Sequence, residues 1–528
     1  MAWSAQFTTA LAMQSRNPVY RLLVHGGYGS TGFRLGSTPP GRALTIASAP
    51  GYAPPSASGS ALLLIGQRIR VQGTRVGPIT WRVSIGQWAV ELVGDISTFR
   101  KHCPRGAICS LEMGFVGWDV SKFQCIAVGR FQACTSTGLE RGVQHMATFS
   151  DAGAMLQTRI PDTYTEVELF HSAGGGGALT ANYTPGDAVI TVSGIANFYR
   201  QNSGVGVVKV TPTTGEPFYL KWDGVSGSDL QLNPSGSDVF NTAQTAAVIG
   251  DSVSSVAYLY GHPLDILRKL LVSGNGGGSV WDLLPDPWSI RLPQELVDTS
   301  NIEVWELALQ AAAGAYSWEV LEEESQSNGW SWLTTLLSKA GIWPVLRQGQ
   351  LTARYAQDPF SPLVHSGRTI TEADLMGPWS LVDWDPSVPA EYARNDAATR
   401  LGHATGASKG LTASRNTLAD SLPMSIASTP LDLSDRIYDT TAGPSMRQDA
   451  IDRMSPWAFR VPERLTLPLR LDWAQMCSGD IVDVTLPAQG RTSNTLRGYE
   501  QQPCMVAAVD ADYAAGVCIL ELLTIEDT

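Results

Sequence analysis

Over most of this chain apolar and polar residues alternate in short runs, and a helical period appears mainly in the middle. The clearest alternation is near the end. Arg464–Leu471 reads Arg-Leu-Thr-Leu-Pro-Leu-Arg-Leu, and after a polar corner closing in Ser478-Gly479-Asp480 the run Ile481–Leu486 resumes it. A second pair follows: Cys504–Val509, a turn over Asp510–Gly516, and Val517–Leu523. Alternation with β-branched residues predicts strands, and the Gly and Asp positions predict turns.

Upstream, residues 1–165 predict a β-domain with an N-terminal arm. Trp3–Met13 reads as a short helix, Tyr20–His25 as a strand, and the Gly-, Pro- and Ser-dense Gly26–Ser60 as a long loop. Ala61–Val71, Ile79–Val93, Ser110–Phe115 and Lys122–Ala133 read as strands. Residues 166–258 read as an inserted small β-barrel or sandwich that opens with Gly174–Gly177, with strands at Asp187–Val192, Val205–Val210, Phe218–Trp222 and Ala246–Ile249. Residues 259–400 change period. In His262–Val272, Leu264, Leu267, Leu270 and Leu271 fall at helical spacing, and Trp330–Ala340 repeats this with Leu333, Leu336 and Leu337. Gly341 suits the second helix's C-terminus, and Ile342–Arg347 with Gln350–Tyr355 predicts a hairpin turning at Gln348-Gly349. Thr371-Glu372-Ala373-Asp374 has the form of a capped helix start. Residues 401–528 comprise a polar linker and a final β-barrel. The expected fold class is mainly β with a mixed α/β middle block: two tube-like barrels plus the insertion.

Composition sharpens this in two respects. Charged residues are 16% of the chain, below the roughly 25% of ordinary soluble domains, which favours a subunit embedded in an assembly. The net charge of −12 disfavours general nucleic-acid binding, since phosphate contacts need Lys and Arg. No apolar run approaches membrane-spanning length, and Met1–Thr9 lacks the layout of a secretory signal, so a cytoplasmic origin is expected.

Three segments carry a family resemblance. Trp81–Gly94 looks like an edge strand of a first tube-like domain, Trp330–Tyr355 like a helix-and-hairpin element, and Arg464–Leu523 like a second tube-like domain. With the domain order, they resemble the baseplate hub or tail-tip proteins of long-tailed bacteriophages and of related gene transfer agents. The resemblance implies a structural, non-enzymatic hub that adapts a six-fold tail tube to a three-fold central fibre or spike. It implies a homotrimer at the virion's tail tip, assembled in the bacterial host cytoplasm. The implied partners are the distal tail or tube protein, the fibre or spike and the tape-measure protein, with DNA only passing through the lumen. A receptor- or glycan-binding tail protein whose inserted domain touches the host surface is the alternative, with Trp281 and Trp288 read instead as anchors for a neighbouring subunit, and a tail-associated cell-wall hydrolase is a weaker one.

For hydrolysis the chain offers little. It has no Gly-x-Ser-x-Gly elbow, no HExxH, and no glycine loop followed by Lys-Ser or Lys-Thr. Glu322-Glu323-Glu324 reads as a solvated charge run. The one cluster with metal-binding character is Cys103, Cys109, Cys125 and Cys134. Ordinary buried thiols are the leading reading, since the spacing contains no C-x2-C pair. Some tail-tip proteins of long-tailed phages carry an iron–sulfur cluster, so the resemblance makes four thiolate ligands the alternative, and disulfides are a third. Either no cofactor or an iron–sulfur cluster is expected, not zinc. Cys504 and Cys518 are expected as hairpin neighbours.

Overall fold

The computed structural model describes residues 3–525 apart from 27–43, 53–63, 154–174, 234–243, 273–291, 396–410, 416–430, 440–452, 488–497 and shorter stretches. The chain is mainly β. It begins with helix α1 (Ala5–Ala12), whose N-terminus is capped by Ser4, the hydroxyl accepting from the Phe7 amide. The strands β1 (Pro18–Gly26), β2 (Thr45–Ala47), β3 (Leu64–Gln72), β4 (Arg75–Val76), β5 (Val83–Ser84) and β6 (Gln87–Val93) follow. After the short helix α2 (Ser97–His102) come β7 (Ile108–Phe115), β8 (Gln124–Leu139) and β9 (Gly142–Asp151).

Seven of these strands, in the order β2-β1-β7-β8-β9-β6-β3, close into a barrel through the β2–β3 contact at Ala47 and Leu64. Alternation aims Leu22, Val24, Val90, Leu92, Leu111 and Phe149 inward, and Trp88 stacks on Phe149 with ring centres 3.8 Å apart. Phe7 of α1, fully buried, seals the interior against Phe115. Strand β6 pairs with both β3 and β9, so this segment is a central strand and not the edge strand expected.

The insertion contains β10 (Gly176–Ala178), β11 (Val189–Thr191), β12 (Gly206–Thr211), β13 (Phe218–Ser226) and β14 (Asp229–Leu232), and leads into β15 (Ser252–Gly261). Its core is Ile190, Val208, Val210, Phe218, Leu220 and Trp222. Of the strand expected over Ala246–Ile249, Ala247 makes one bridge to Tyr183. β15 continues out of the insertion to pair with β16 (Trp318–Glu322). A helical block then packs α3 (Pro263–Val272), α4 (Thr299–Ala313) and α5 (Gly329–Ser338) against the hairpin of β17 (Ile342–Arg347) and β18 (Gln350–Tyr355). α4 lies where no helix is expected from the residue pattern.

Strands β19 (Thr369–Thr371) and β20 (Ser380–Asp383) come next, with a 3-10 turn between them that has the predicted capping box of Thr371 and Asp374. β21 (Glu391–Asn395), β22 (Leu411–Arg415) and β23 (Leu431–Asp432) form a small sheet, and β24 (Ile437–Asp439) adds to β16. The polar linker otherwise falls largely outside the described residues. The last strands are β25 (Glu463–Arg470), β26 (Ile481–Leu486), β27 (Tyr499–Asp512) and β28 (Val517–Thr524). They build a second, partly open barrel in the order β19-β26-β27-β28-β25-β20, around Leu465, Leu467, Val484, Val506, Leu520 and Leu522.

The two barrels share wall. β27 pairs with β26 over its first half and with β28 from Met505 to Asp512, and at its end Asp510–Asp512 pairs with Arg70–Gln72 of β3. The result is one 13-stranded sheet that runs from the first barrel into the second. Cys518 faces Ala511 across the hairpin, so Cys504 and Cys518 are not the neighbours expected, although both are buried in the second core.

Candidate functional site

The corner Cys477-Ser478-Gly479-Asp480 sits where the second barrel, the hairpin β17–β18 and the segment after β3 meet. Gly479 has a φ of +99°, and a Cβ there would stand 2.8 Å from both the Trp343 ring and the Arg354 side chain, so only glycine fits. The amide of Gly479 donates to the Val506 carbonyl at 2.7 Å. The Ser478 hydroxyl reaches the carbonyls of Thr74 and Ala507. Thr74 also accepts on its hydroxyl from the Leu346 amide at 3.2 Å, which fastens the hairpin to the same point.

Asp480 organises the centre. Its carboxylate accepts from the Cys477 amide at 3.0 Å and from Arg354 Nε at 2.8 Å. Arg354, on β18, is buried. It also donates to Asn301 Oδ1 of α4 at 2.7 Å, and its guanidinium lies 4.6 Å from the Trp305 ring centre. One cation therefore holds the helical block, the hairpin and the second barrel together. The Cys477 sulfur is 3.0 Å from the same guanidinium, but burial pushes its thiol up to about 12 despite that positive neighbour. It stays a neutral thiol at physiological pH and is no nucleophile. A second cluster braces the far side, where Arg368 meets Asp472 at 2.7 Å and Arg470 meets Asp374 at 2.8 Å. Between the bodies lies a cavity of about 60 Å³ lined by Trp88, Thr74, Gln348 and Ser478, large enough for a few waters and too small for a substrate.

The four cysteines are divided by the fold. Cys103 and Cys109 meet inside the first barrel, sulfur to sulfur at 3.6 Å, and Cys134 packs against the same core. Cys125 lies opposite Glu112 and packs against the helical block. Cys125 and Cys134 are nine residues apart on β8, roughly 30 Å at about 3.3 Å per residue, so one ion or cluster does not reach both. The arrangement does not fit a single four-thiolate site. Among the described residues, no group of three or more His, Cys, Asp and Glu side chains could hold a metal ion.

One pairing escaped the sequence reading because its members are 85 residues apart: His25 Nε2 and the Ser110 hydroxyl, 2.7 Å from each other. A Ser–His contact is the beginning of a nucleophile system. Here Ser110 is fully buried under the barrel's outer cover, and burial pulls His25 down to about 4, so no substrate reaches the pair. Trp222, the tryptophan of the insertion, is core and offers no stacking face for a sugar. Trp281 and Trp288 lie outside the described residues. No described helix is long and apolar enough to cross a membrane.

No protein-family model and no curated protein matches the chain. Solved structures it is similar to include tail proteins and a gene transfer agent particle. A tail protein from Neisseria meningitidis MC58 is 10% identical, with 89% of this chain and 96% of that one covered, at a TM-score of 0.36. A prophage tail protein from Listeria monocytogenes EGD-e is 7% identical, covering 97% and 96%, at 0.38. A chain of a native gene transfer agent virion is 13% identical, covering 71% and 92%, at 0.31. Scores of this size are a coarse likeness and assign no role to any residue.

Proposed function

We propose that this chain is a structural subunit of a phage-type tail, acting at the tail tip as a hub between the tube and a central fibre or spike. The observation that carries this reading is the shared wall, in which one chain presents two barrels made continuous by β27. Two fused barrels per chain suit a trimer that offers six similar faces to a six-fold tube. Closing such a ring would also cover the edge strands β19 and β20, which end the second barrel's sheet. The low charge fraction agrees with surface buried in an assembly. The buried, locked side chains at the corner suit a rigid joint and not a catalytic cleft. The chain would assemble in the host cytoplasm on the tape-measure and distal tube proteins, and no enzymatic step is assigned to it. The test is imaging of the assembled particle. Three copies on the tail axis, each contributing both barrels to one ring, are expected. Six copies in one ring, or a peripheral position, overturn the proposal.

A further inference from the structure

Cys103 ends helix α2 and Cys109 is the second residue of β7, so a short turn separates them in sequence. That turn is rigid. Gly106 takes a φ of +92°, the Ala107 amide donates to the Pro104 carbonyl at 3.0 Å, and Gly106 and Ala107 exchange backbone hydrogen bonds with Phe131 of β8. Both side chains point into the first barrel's core, 2% and 0% exposed, and the sulfurs stand 3.6 Å apart.

We propose that Cys103 and Cys109 form a latent dithiol that closes into a disulfide across the α2–β7 turn when the protein meets an oxidising small-molecule disulfide. The sulfurs stand 3.6 Å apart and need to approach by about 1.5 Å to reach the bonded separation of roughly 2.05 Å. The chemistry is two successive exchanges. One cysteine thiolate attacks a sulfur of the external disulfide and expels a small thiolate, giving a mixed disulfide. The second cysteine thiolate attacks the protein sulfur of that mixed disulfide and expels the other small thiolate. Two electrons pass to the external disulfide, which ends as two thiols carrying the two cysteine protons. Burial, with Cys103 adjacent, raises the Cys109 thiol above its usual range, so closure is slow and follows local opening of the turn. Cys134 packs against the same core and lies near enough to Cys103 to act on it electrostatically, so it is the competing partner, although on β8 it lies five residues beyond Gly129, the residue that faces Cys109.

Trypsin provides the readout, because Arg105 falls between the two cysteines. The reduced protein releases them on separate peptides, residues 102–105 and 106–122. The full chain is incubated with oxidised glutathione, its free thiols are alkylated, and it is digested without reductant. The expected result is a disulfide-linked pair of those two peptides, two fewer alkylated thiols among the seven, and an intact mass lower by two hydrogens. The linked pair persists in Cys134→Ser and is absent from Cys109→Ala. Peptide mapping of the unmodified chain decides the matter even if that last variant fails to fold. A link from Cys103 to Cys134, a stable mixed disulfide alone, or full alkylation of both cysteines after prolonged oxidation overturns the proposal.

Discussion

Gly479 and Arg354 show how few atoms secure the joint between the bodies. Replacing Gly479 by Ala forces a Cβ into a left-handed backbone position and against Trp343, and a loss of roughly 2–4 kcal/mol is expected in urea unfolding. Arg354→Ala leaves Asp480 and Asn301 without their buried donor, and about 3 kcal/mol or more should be lost. A near-neutral result for Arg354→Ala would show that the joint does not depend on this cation. Acid sensitivity has its own source. His25 and His262 are both drawn down to about 4, each chiefly by burial, from an ordinary value near 6.5. The unfolded chain therefore takes up their protons first. The stability they represent is complete above pH 6.5 and is lost as pH falls through 4, up to about 3 kcal/mol for each. His25→Gln should flatten the acid limb of a stability-versus-pH curve, and an unchanged limb would remove His25 as a cause.

At the scale of elements, what the sequence made legible followed the strength of its period. The strands Glu463–Arg470 and Val517–Thr524, the hairpin β17–β18 and the helices α3 and α5 appear within a residue or two of their expected bounds. Helix α4 was hidden because its exposed side is apolar too. Val304 and Leu307 are 53% and 57% exposed while Ile302, Trp305 and Leu309 are buried, so the stripe blurs. The residue pattern predicts β27 to end before Asp510, because aspartate signals a turn. In the fold Asp512 meets Arg70 at 3.2 Å and Asp510 meets Arg75 at 3.6 Å, and these cross-strand partners carry the strand onward. That extension joins the barrels, so the sequence showed both barrels but not their junction. The joint itself was half legible: Gly479-Asp480 stood out as a turn, but Arg354 lies 126 residues from its partner and left no local trace. Amides of Leu465–Leu467, Leu469, Val506–Val509 and Leu520–Leu522 should exchange slowest with deuterium, and those of β19 and β20 markedly faster. Equal protection at the sheet's ends would contradict the topology.

For the molecule as a whole, a shared strand makes two barrels one cooperative unit. Calorimetry should give a single transition for both barrels, and Val509→Asp, in the second core just ahead of the crossing into the first barrel, should lower the melting of both together. Separate transitions for the two barrels would show that the junction is weak. The continuity of β27 also has a mechanical consequence. Two domains tethered by a loop part at the loop, and side-chain interfaces peel one contact at a time. Here a pull that drives one barrel away from the other along the strand runs through the main chain of β27. Its hydrogen bonds to β28 would have to slide past one another at once and not open in sequence. Tension applied at one end of such a molecule is delivered to the other with little slack, and the chain behaves as a strut.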